Sequence, residues 1–423
     1  MDTLASAVYD TNDPDTRRIP QNPLGRRGPP ARFVATYAFA YASLWLALLT
    51  PATITLALRV RQIAPGSATR PISLVLLSGA LVALVSNPVF GALSDRTRSR
   101  FGRRRPYLVG GAVCGFAALA LIGLAPSLHV VLLGWCLAQL AYNAVLASMV
   151  AIVPDQIPPF RRGTVVGILG MCMPVGQIAG TFLVQQLATN LLLALLVPGA
   201  IGLGGVLLLA FSLHEEPAPA GVSRPSLSFD VAGHRDFLWA WSSRVLFVVG
   251  SVLIQGYQPF LLIDELGFNA TEVPRLIFRS TLVQAAMTVT WSLIAGRLSD
   301  RLGRRKGVAM VGSVFQGMGL WLIAAAHSYT TLLFGVALAG IGHGVYEGVD
   351  LALVTEVLPD RDRDAAKDLG LLNVANALPQ VIAPLAAPAI LDVSHGDYTL
   401  LFLVAGAVPV LGAALLLPVR NAR

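Results

Sequence analysis

The chain has 423 residues, of which 55% are hydrophobic and only 13% are charged, and its formal net charge is +8 at pH 7. A mean hydropathy of +0.67 excludes an ordinary water-soluble domain and indicates a protein of the lipid bilayer. The basic residues are divided among short loops, which argues against binding to nucleic acid.

Apolar runs make up most of the chain. We expect residues 1–31, which are rich in proline and charge, to form a disordered cytoplasmic tail. Twelve runs long enough to cross a bilayer as α-helices follow, at residues 32–57, 72–94, 106–126, 129–153, 163–187, 190–212, 238–262, 276–298, 307–326, 329–357, 367–391 and 397–418. The sequence therefore predicts an all-α membrane protein with 12 transmembrane helices.

A polar, proline-containing stretch at residues 214–236 separates the first six runs from the last six. We interpret it as a cytoplasmic linker between two pseudo-symmetric six-helix bundles. These bundles would cover residues 32–213 and residues 237–423.

The distribution of basic residues predicts the orientation. An even number of spans puts both termini on one side, and most of the 31 Lys and Arg residues fall on that side when Arg244, near the start of the run 238–262, is counted with it. The other side has only Arg59, Arg61, Arg70, Arg275 and Arg279. Because basic loops are retained inside, we expect cytoplasmic termini and a multi-pass protein of the cytoplasmic (inner) cell membrane.

One charged segment occurs twice. Residues 91–105 read GALSDRTRSRFGRRR and residues 296–306 read GRLSDRLGRRK, after the second and the eighth span. An offset of 205 residues relates Asp95 to Asp300 and also relates Asp155 to Asp360. The repeat predicts a duplicated membrane bundle, which is typical of secondary transporters.

These two loops resemble those of the major facilitator superfamily, whose members have two six-helix bundles. The longer first copy, SDRTRSRFGRRRP at residues 94–106, and GLLNVANALPQVIAP at residues 370–384 resemble segments of the sucrose/proton symporters. The longer copy is also similar to that of the glycoside-pentoside-hexuronide:cation symporters. The resemblance implies a carrier that works by alternating access.

The resemblance also implies a cytoplasmic gate built from the charged side chains of the two loops, namely Asp95, Arg96, Arg103, Arg104, Asp300, Arg301 and Arg304. We expect Asp155 and Glu356 to complete this gate. The simpler alternative is that the basic residues only fix the topology, although this does not explain the matched Asp residues.

Two departures from those branches concern ion coupling. Asn87 stands where the glycoside branch has an Asp before Pro88, and Gln139 stands where the sucrose carriers have an Asp. Neither coupling carboxylate of the relatives is present, so we expect no sodium coupling and look for a proton site elsewhere.

The tenth span offers such a site. His343, Glu347 and Asp350 are spaced i, i+4 and i+7, which puts them on one helix face with Tyr346. Glu347 lies roughly 15 Å from the cytoplasmic end of the span and Asp350 roughly 10 Å. Ionisable residues at this depth are usually functional, so we predict that Glu347 and Asp350 couple transport to protons. The alternative is that they form ion pairs for packing.

Amide, hydroxyl and aromatic side chains in the spans suit a hydroxyl-rich ligand. The predicted substrate-binding residues are Gln139, Tyr142, Asn143, Gln255, Tyr257, Gln258, Asn373, Asn376, Gln380, Tyr41 and Trp45. The alternative is that these side chains hold helices together. Close helix packing is also expected along the fifth span, at Gly163, Gly167, Gly170 and Gly180.

The sequence therefore favours proton-driven transport of a sugar or glycoside. Proton-driven export of a drug-like or lipid-like compound, uniport, and a receptor or scaffold that carries nothing remain alternatives. No phosphate-binding loop, zinc spacing or nucleophile elbow is found, so we expect neither an enzyme nor a cofactor or metal.

Overall fold

A computed structural model describes residues 31–65, 69–213, 235–357 and 365–419. These residues form twelve long helices, which we name α1 Ala31–Ile63, α2 Thr69–Arg96, α3 Arg105–Gly123, α4 Leu128–Gln156, α5 Pro159–Gln186, α6 Leu191–Ser212, α7 Arg235–Glu265, α8 Val273–Leu302, α9 Arg305–Ala324, α10 Tyr329–Val357, α11 Ala365–Val393 and α12 Tyr398–Leu415. Each predicted span corresponds to one helix. The predicted tail up to residue 30 and residues 214–234 of the predicted linker lie outside the described residues.

Eleven of these helices are long and apolar enough to cross a membrane. The exception, α8, has 30 residues and is therefore long enough, but it carries polar side chains such as Arg275, Arg279 and Gln284 along its length. It nevertheless packs in the same way as α2 does in the other half of the chain.

The two halves repeat one helix packing. In the first half, α1 packs on α5 and α6, α4 packs on α2 and α3, and α3 packs on α6. In the second half, α7 packs on α11 and α12, α10 packs on α8 and α9, and α9 packs on α12. The halves meet through α2 with α11 and through α5 with α8. This arrangement confirms the predicted fold class of two pseudo-symmetric six-helix bundles.

Glycines set the close approach of equivalent helices in the two bundles. A Cβ atom on Gly111 of α3 would lie 2.7 Å from the carbonyl oxygen of Ala141 in α4. A Cβ atom on Gly312 of α9 would lie 2.9 Å from the carbonyl oxygen of Gly342 in α10. Both pairs of positions are related by 201 residues.

This structural register corrects one prediction. The first charged loop has four more residues than the second, so the offset falls from 205 before the loop to 201 after it. Asp155 near the end of α4 therefore corresponds to Glu356 near the end of α10. The predicted match of Asp155 with Asp360 is wrong, and Asp360 itself lies outside the described residues.

The predicted close packing along α5 is found at only one of its four glycines. Gly180 lies against Thr50 of α1, where a Cβ atom would come within 2.2 Å of Thr50 Oγ1. In contrast, a Cβ atom on Gly163, Gly167 or Gly170 would meet nothing within 4 Å. The prediction is therefore wrong for the first half of α5, which faces open space.

We predict opposite effects for alanine at two adjacent glycines of α3. Gly111→Ala should destabilise the fold by about 1–3 kcal/mol, because the methyl group overlaps α4. Gly110→Ala is the matched control, because nothing lies within 4 Å of a Cβ atom at this position. Alanine lowers the conformational entropy of the unfolded chain, so stability should stay equal or rise by about 0.5–1 kcal/mol. Thermal unfolding in detergent measures both, and equal shifts would contradict the packing described here.

Candidate functional site

A buried ion pair lies inside the second bundle. Arg244 lies inside α7, as the predicted span 238–262 has it, so counting it with the cytoplasmic loops is wrong. Its guanidinium pairs with the carboxylate of Asp350 in α10, and the two side chains are only 17% and 9% exposed. Nε and Nη2 of Arg244 also donate to Oδ1 of Asn376 in α11, at 3.3 and 3.2 Å. One guanidinium thus joins three helices.

A second pair lies on α10 beside the first. Nε2 of His343 is 3.2 Å from Oε1 of Glu347, whose side chain is 58% exposed. The other ring nitrogen, Nδ1, is 3.3 Å from Oγ of Ser251 in α7. The two predicted coupling carboxylates therefore have separate partners, Arg244 for Asp350 and His343 for Glu347.

Amide side chains form a neutral cluster in the first bundle. Nδ2 of Asn87 in α2 donates to Oδ1 of Asn143 in α4 at 3.3 Å. Nδ2 of Asn143 donates to the carbonyl oxygen and to Oε1 of Gln139, at 2.8 and 3.2 Å. Asn87 was not among the predicted binding residues, although its place one residue before a proline in the middle of a span is a usable signal. Tyr142, in contrast, is 1% exposed and packs against Gly115 of α3.

Two of the predicted residues on α7 are buried in contacts between helices. The hydroxyl of Tyr257 is 2.6 Å from Oγ of Ser73 in α2, so it joins the two bundles. Nε2 of Gln258 donates to Oγ of Ser280 in α8 at 2.9 Å. Neither side chain is open to a ligand in this arrangement, and both contacts agree with the alternative of holding helices together.

The remaining predicted binding residues are less buried. Tyr41, Trp45 and Gln255 are half-buried, and the rings of Tyr41 and Trp45 meet edge to face at 6.2 Å. Asn376 and Gln380 are exposed, while the side chain of Asn373 lies outside the described residues. Their roles in binding stay predictions.

The first charged loop ties the ends of α2, α3 and α4 together. Arg104 pairs with Asp95 at 2.5 Å and with Asp155 at 3.1 Å, and Arg103 pairs with Asp155 at 2.5 Å. In the second loop Asp300 pairs with Arg305 at 4.0 Å. Arg305 is the structural equivalent of Arg104 at an offset of 201, so it takes the place that the sequence suggested for Arg304.

The gate prediction itself stays untested. Each ion pair described for these loops joins residues of the same bundle, so none of them links the two bundles. Arg96, Arg301 and Arg304 are exposed. The side chain of Glu356 lies outside the described residues.

The last basic residue of each loop binds the end of a helix. Arg105 donates to the carbonyl oxygens of Ala210 and Leu213 at 2.8 and 2.5 Å, at the end of α6. Lys306 donates to those of Leu417 and Val419, at 2.8 Å each, just after α12. Carbonyl groups at a helix end lack intrahelical donors, so a cation there satisfies them.

The bundles are joined at the membrane face opposite the two charged loops. Arg61 of α1 pairs with Asp264 of α7 at 2.5 Å, and Arg70 of α2 pairs with Asp392 of α11 at 2.7 Å. The bond between Ser73 and Tyr257 lies in the same half. These contacts could not be predicted, because Arg61 and Arg70 stood out only as exceptions to the charge asymmetry.

Known proteins resemble parts of the chain. The multidrug resistance protein MdtL of Klebsiella pneumoniae (strain 342) is 42% identical over 92 residues, which are 22% of this chain and 23% of that protein. The general alpha-glucoside permease of Schizosaccharomyces pombe is 27% identical over 127 residues, 26% of this chain and 23% of that protein. The sucrose transport protein SUC3 of Arabidopsis thaliana is 28% identical over 160 residues, 33% of this chain and 25% of that protein. Each match thus spans about a quarter of the relative's length.

Solved structures match over the whole fold. A bacterial homologue of the human lysosomal transporter Spinster, in an inward-facing and unoccupied conformation, has a TM-score of 0.68 at 17% identity, covering 92% of this chain and 98% of that chain. A D-xylose-proton symporter has a TM-score of 0.67 at 16% identity, covering 93% and 99%. Residues 31–292 and 280–423 match the sequence profile of the Major Facilitator Superfamily. The chain belongs to the major facilitator superfamily.

Proposed function

We propose that this transporter moves a sugar or glycoside across the cytoplasmic membrane by alternating access, driven by protons. The observation that carries the proposal is the division of polar groups between the bundles. The first bundle has a neutral amide cluster of Asn87, Gln139 and Asn143, and the second has a charged cluster of Arg244, His343, Glu347 and Asp350.

The amide cluster supports a hydroxyl-rich substrate. Each amide has donors and an acceptor, and so does each sugar hydroxyl, so the two pair without placing a net charge in the membrane. The resemblance to the alpha-glucoside permease and to the sucrose transport protein supports the same class.

The charged cluster supports a proton site at Glu347. Arg244 pairs directly with Asp350, whereas the described partner of Glu347 is the imidazole of His343, which carries no charge when it is unprotonated. A carboxylate in the bilayer without a directly paired cation is a candidate for taking up a proton. Glu347 is also the more exposed of the two acids, so it is the more accessible to a proton.

The charged loops would face the cytoplasm in this proposal. The bundles are joined at the opposite, outer face, while the first half of α5 borders open space on the loop side. We propose that this arrangement is an inward-open state. Closure of the loop side would then accompany opening of the outer face.

Proton-driven export of a drug-like or lipid-like compound is the second candidate. The 42% identity to the multidrug resistance protein MdtL favours it, although that match covers less than a quarter of either protein. Cells that lack the gene would then become sensitive to a set of apolar toxins and keep normal growth on glycosides.

We expect purified protein in liposomes to accumulate a labelled glycoside when the outside is more acidic than the lumen. The accumulation should collapse when a protonophore removes the gradient. Sodium gradients should not drive it. A screen of neutral glycosides and monosaccharides in which none is accumulated above protein-free liposomes would overturn the sugar assignment.

Glu347→Gln should abolish the coupling to protons without abolishing the movement of substrate. Because the amide cannot release a proton, gradient-driven accumulation should be lost, while counterflow exchange of substrate should continue. Glu272→Gln, at the turn before α8, is the control and should keep both activities. Unchanged driven accumulation in Glu347→Gln would place the proton site elsewhere.

The pair of Arg244 and Asp350 should behave as one unit in stability measurements. Arg244→Leu or Asp350→Leu alone leaves one buried charge without its partner and should lower stability by about 3–5 kcal/mol. The double variant removes both charges and should recover most of that loss. Thermal unfolding in detergent provides the comparison, and additive losses in the double variant would mean that the pair does not interact as described.

A further inference from the structure

A chain of hydrogen bonds leads from the core of the second bundle to Glu347. It begins at Gln316 in α9, passes through Ser251 in α7 and reaches His343 in α10. Gln316 is 2% exposed and Ser251 is 5% exposed, whereas the side chain of Glu347 is 58% exposed. The chain therefore connects a buried amide to an exposed carboxylate.

Chemistry fixes the direction of the first bond. The side-chain nitrogen of Gln316 lies 3.2 Å from the carbonyl oxygen of Phe247 and 2.8 Å from Oγ of Ser251. A carbonyl oxygen can only accept, so the amide must present its NH₂ group to this side. Ser251 Oγ consequently accepts a hydrogen bond from Gln316, and its own proton is available for His343.

The direction of the second bond, between Ser251 and His343, decides which ring nitrogen of His343 carries the proton. When Ser251 donates to Nδ1, the neutral ring carries its proton on Nε2, which is 3.2 Å from Oε1 of Glu347. That N–H donates to the carboxylate. The orientation of the ring is held as well, because Phe247 stacks on His343 with ring centres 5.4 Å apart.

We propose that Ser251 and Gln316 are positioning residues which hold His343 in the tautomer that donates from Nε2 to Glu347. This inference rests on the proposed proton coupling at Glu347. Neither residue touches the transported proton, and both act through the imidazole. The relay stabilises ionised Glu347 and so sets the pH range in which this carboxylate takes up a proton and gives it back.

Few other charged or titratable groups surround His343 and Glu347 among the described residues. Arg244 on α7, with Tyr346 and Asp350 on α10, are the further charged or titratable groups around it. Among the described contacts of the neighbouring helices with this stretch of α10, α8 contributes Thr288 and Ser292, α9 contributes Gln316, and α11 contributes Asn376 through Arg244. None of these four titrates, so the tautomer depends mainly on Ser251.

Ser251→Ala is the test variant. Without the hydroxyl, the ring can move its proton to Nδ1 and turn the lone pair of Nε2 toward Glu347, which favours the protonated carboxyl. The midpoint of the pH dependence of driven transport should then move to higher pH, by roughly 0.5–1 unit for a weakened hydrogen bond to a carboxylate. Ser251→Thr keeps a hydroxyl and should restore the original profile.

Ser313→Ala is the matched control on α9. Its hydroxyl is buried and bonds only to the carbonyl oxygen of Ala309 among the described contacts, so its loss should leave the pH midpoint unchanged. An equal shift in Ser251→Ala and Ser313→Ala would indicate a loss of packing and overturn the inference. An unchanged midpoint in Ser251→Ala would overturn it as well.

Nitrogen NMR of labelled histidine tests the tautomer without any transport. The chain has 6 histidines, and His343→Gln identifies the resonances of His343. We expect a protonated Nε2 and an unprotonated Nδ1 in the wild type, and partial exchange of these states in Ser251→Ala. A protonated Nδ1 in the wild type would refute the relay, whereas absence of proton-driven uptake with the expected spectrum would refute only the proposed function.

Discussion

The ion pair of Arg244 and Asp350 is the contact that allows the second bundle to hold several charged groups inside a membrane. A single charge in the hydrocarbon region costs a few kcal/mol or more, and loss of one partner of a buried pair is strongly destabilising. Arg244 and Asp350 neutralise each other, and Asn376 occupies two further donors of the guanidinium. With these charges compensated, Glu347 is the acid that we propose to change its protonation state during a cycle.

The first bundle makes the equivalent connection without charge. Tyr37 of α1 donates from its hydroxyl to the carbonyl oxygen of Met149 in α4 at 2.5 Å. Met149 corresponds to Asp350 at the offset of 201, and α1 and α4 correspond to α7 and α10. The same pair of helices is therefore joined by a neutral bond in one bundle and by an ion pair in the other. The two bundles share the glycine contacts and the basic helix caps, while their polar groups in the membrane differ.

Much of this architecture could be predicted from local sequence. Apolar runs located all twelve helices, because a span needs about 20 apolar residues and leaves little freedom in composition. The face of His343, Glu347 and Asp350 was also visible, since helical spacing alone brings these residues together. The ion pair of Arg244 was not visible, because the sequence does not tell which residues of other helices lie beside it. The pairs Arg61–Asp264 and Arg70–Asp392 likewise join residues far apart in the chain.

The strength of the contacts between the bundles is suited to a protein that changes its conformation. The side chains of Arg70 and Asp392 are 72% and 51% exposed, and ion pairs of this kind contribute about 0–1 kcal/mol. The bond between Ser73 and Tyr257 is neutral, and such bonds contribute about 0.5–1.5 kcal/mol. Within each bundle, in contrast, backbone approaches backbone at glycines, as at Gly111 and Gly312, and separation there would expose a packed interface. These two polar contacts at the junction are therefore weaker than the packing inside each bundle. The proposed alternating access requires two states that differ by only a few kcal/mol, and weak polar contacts between the bundles suit that requirement.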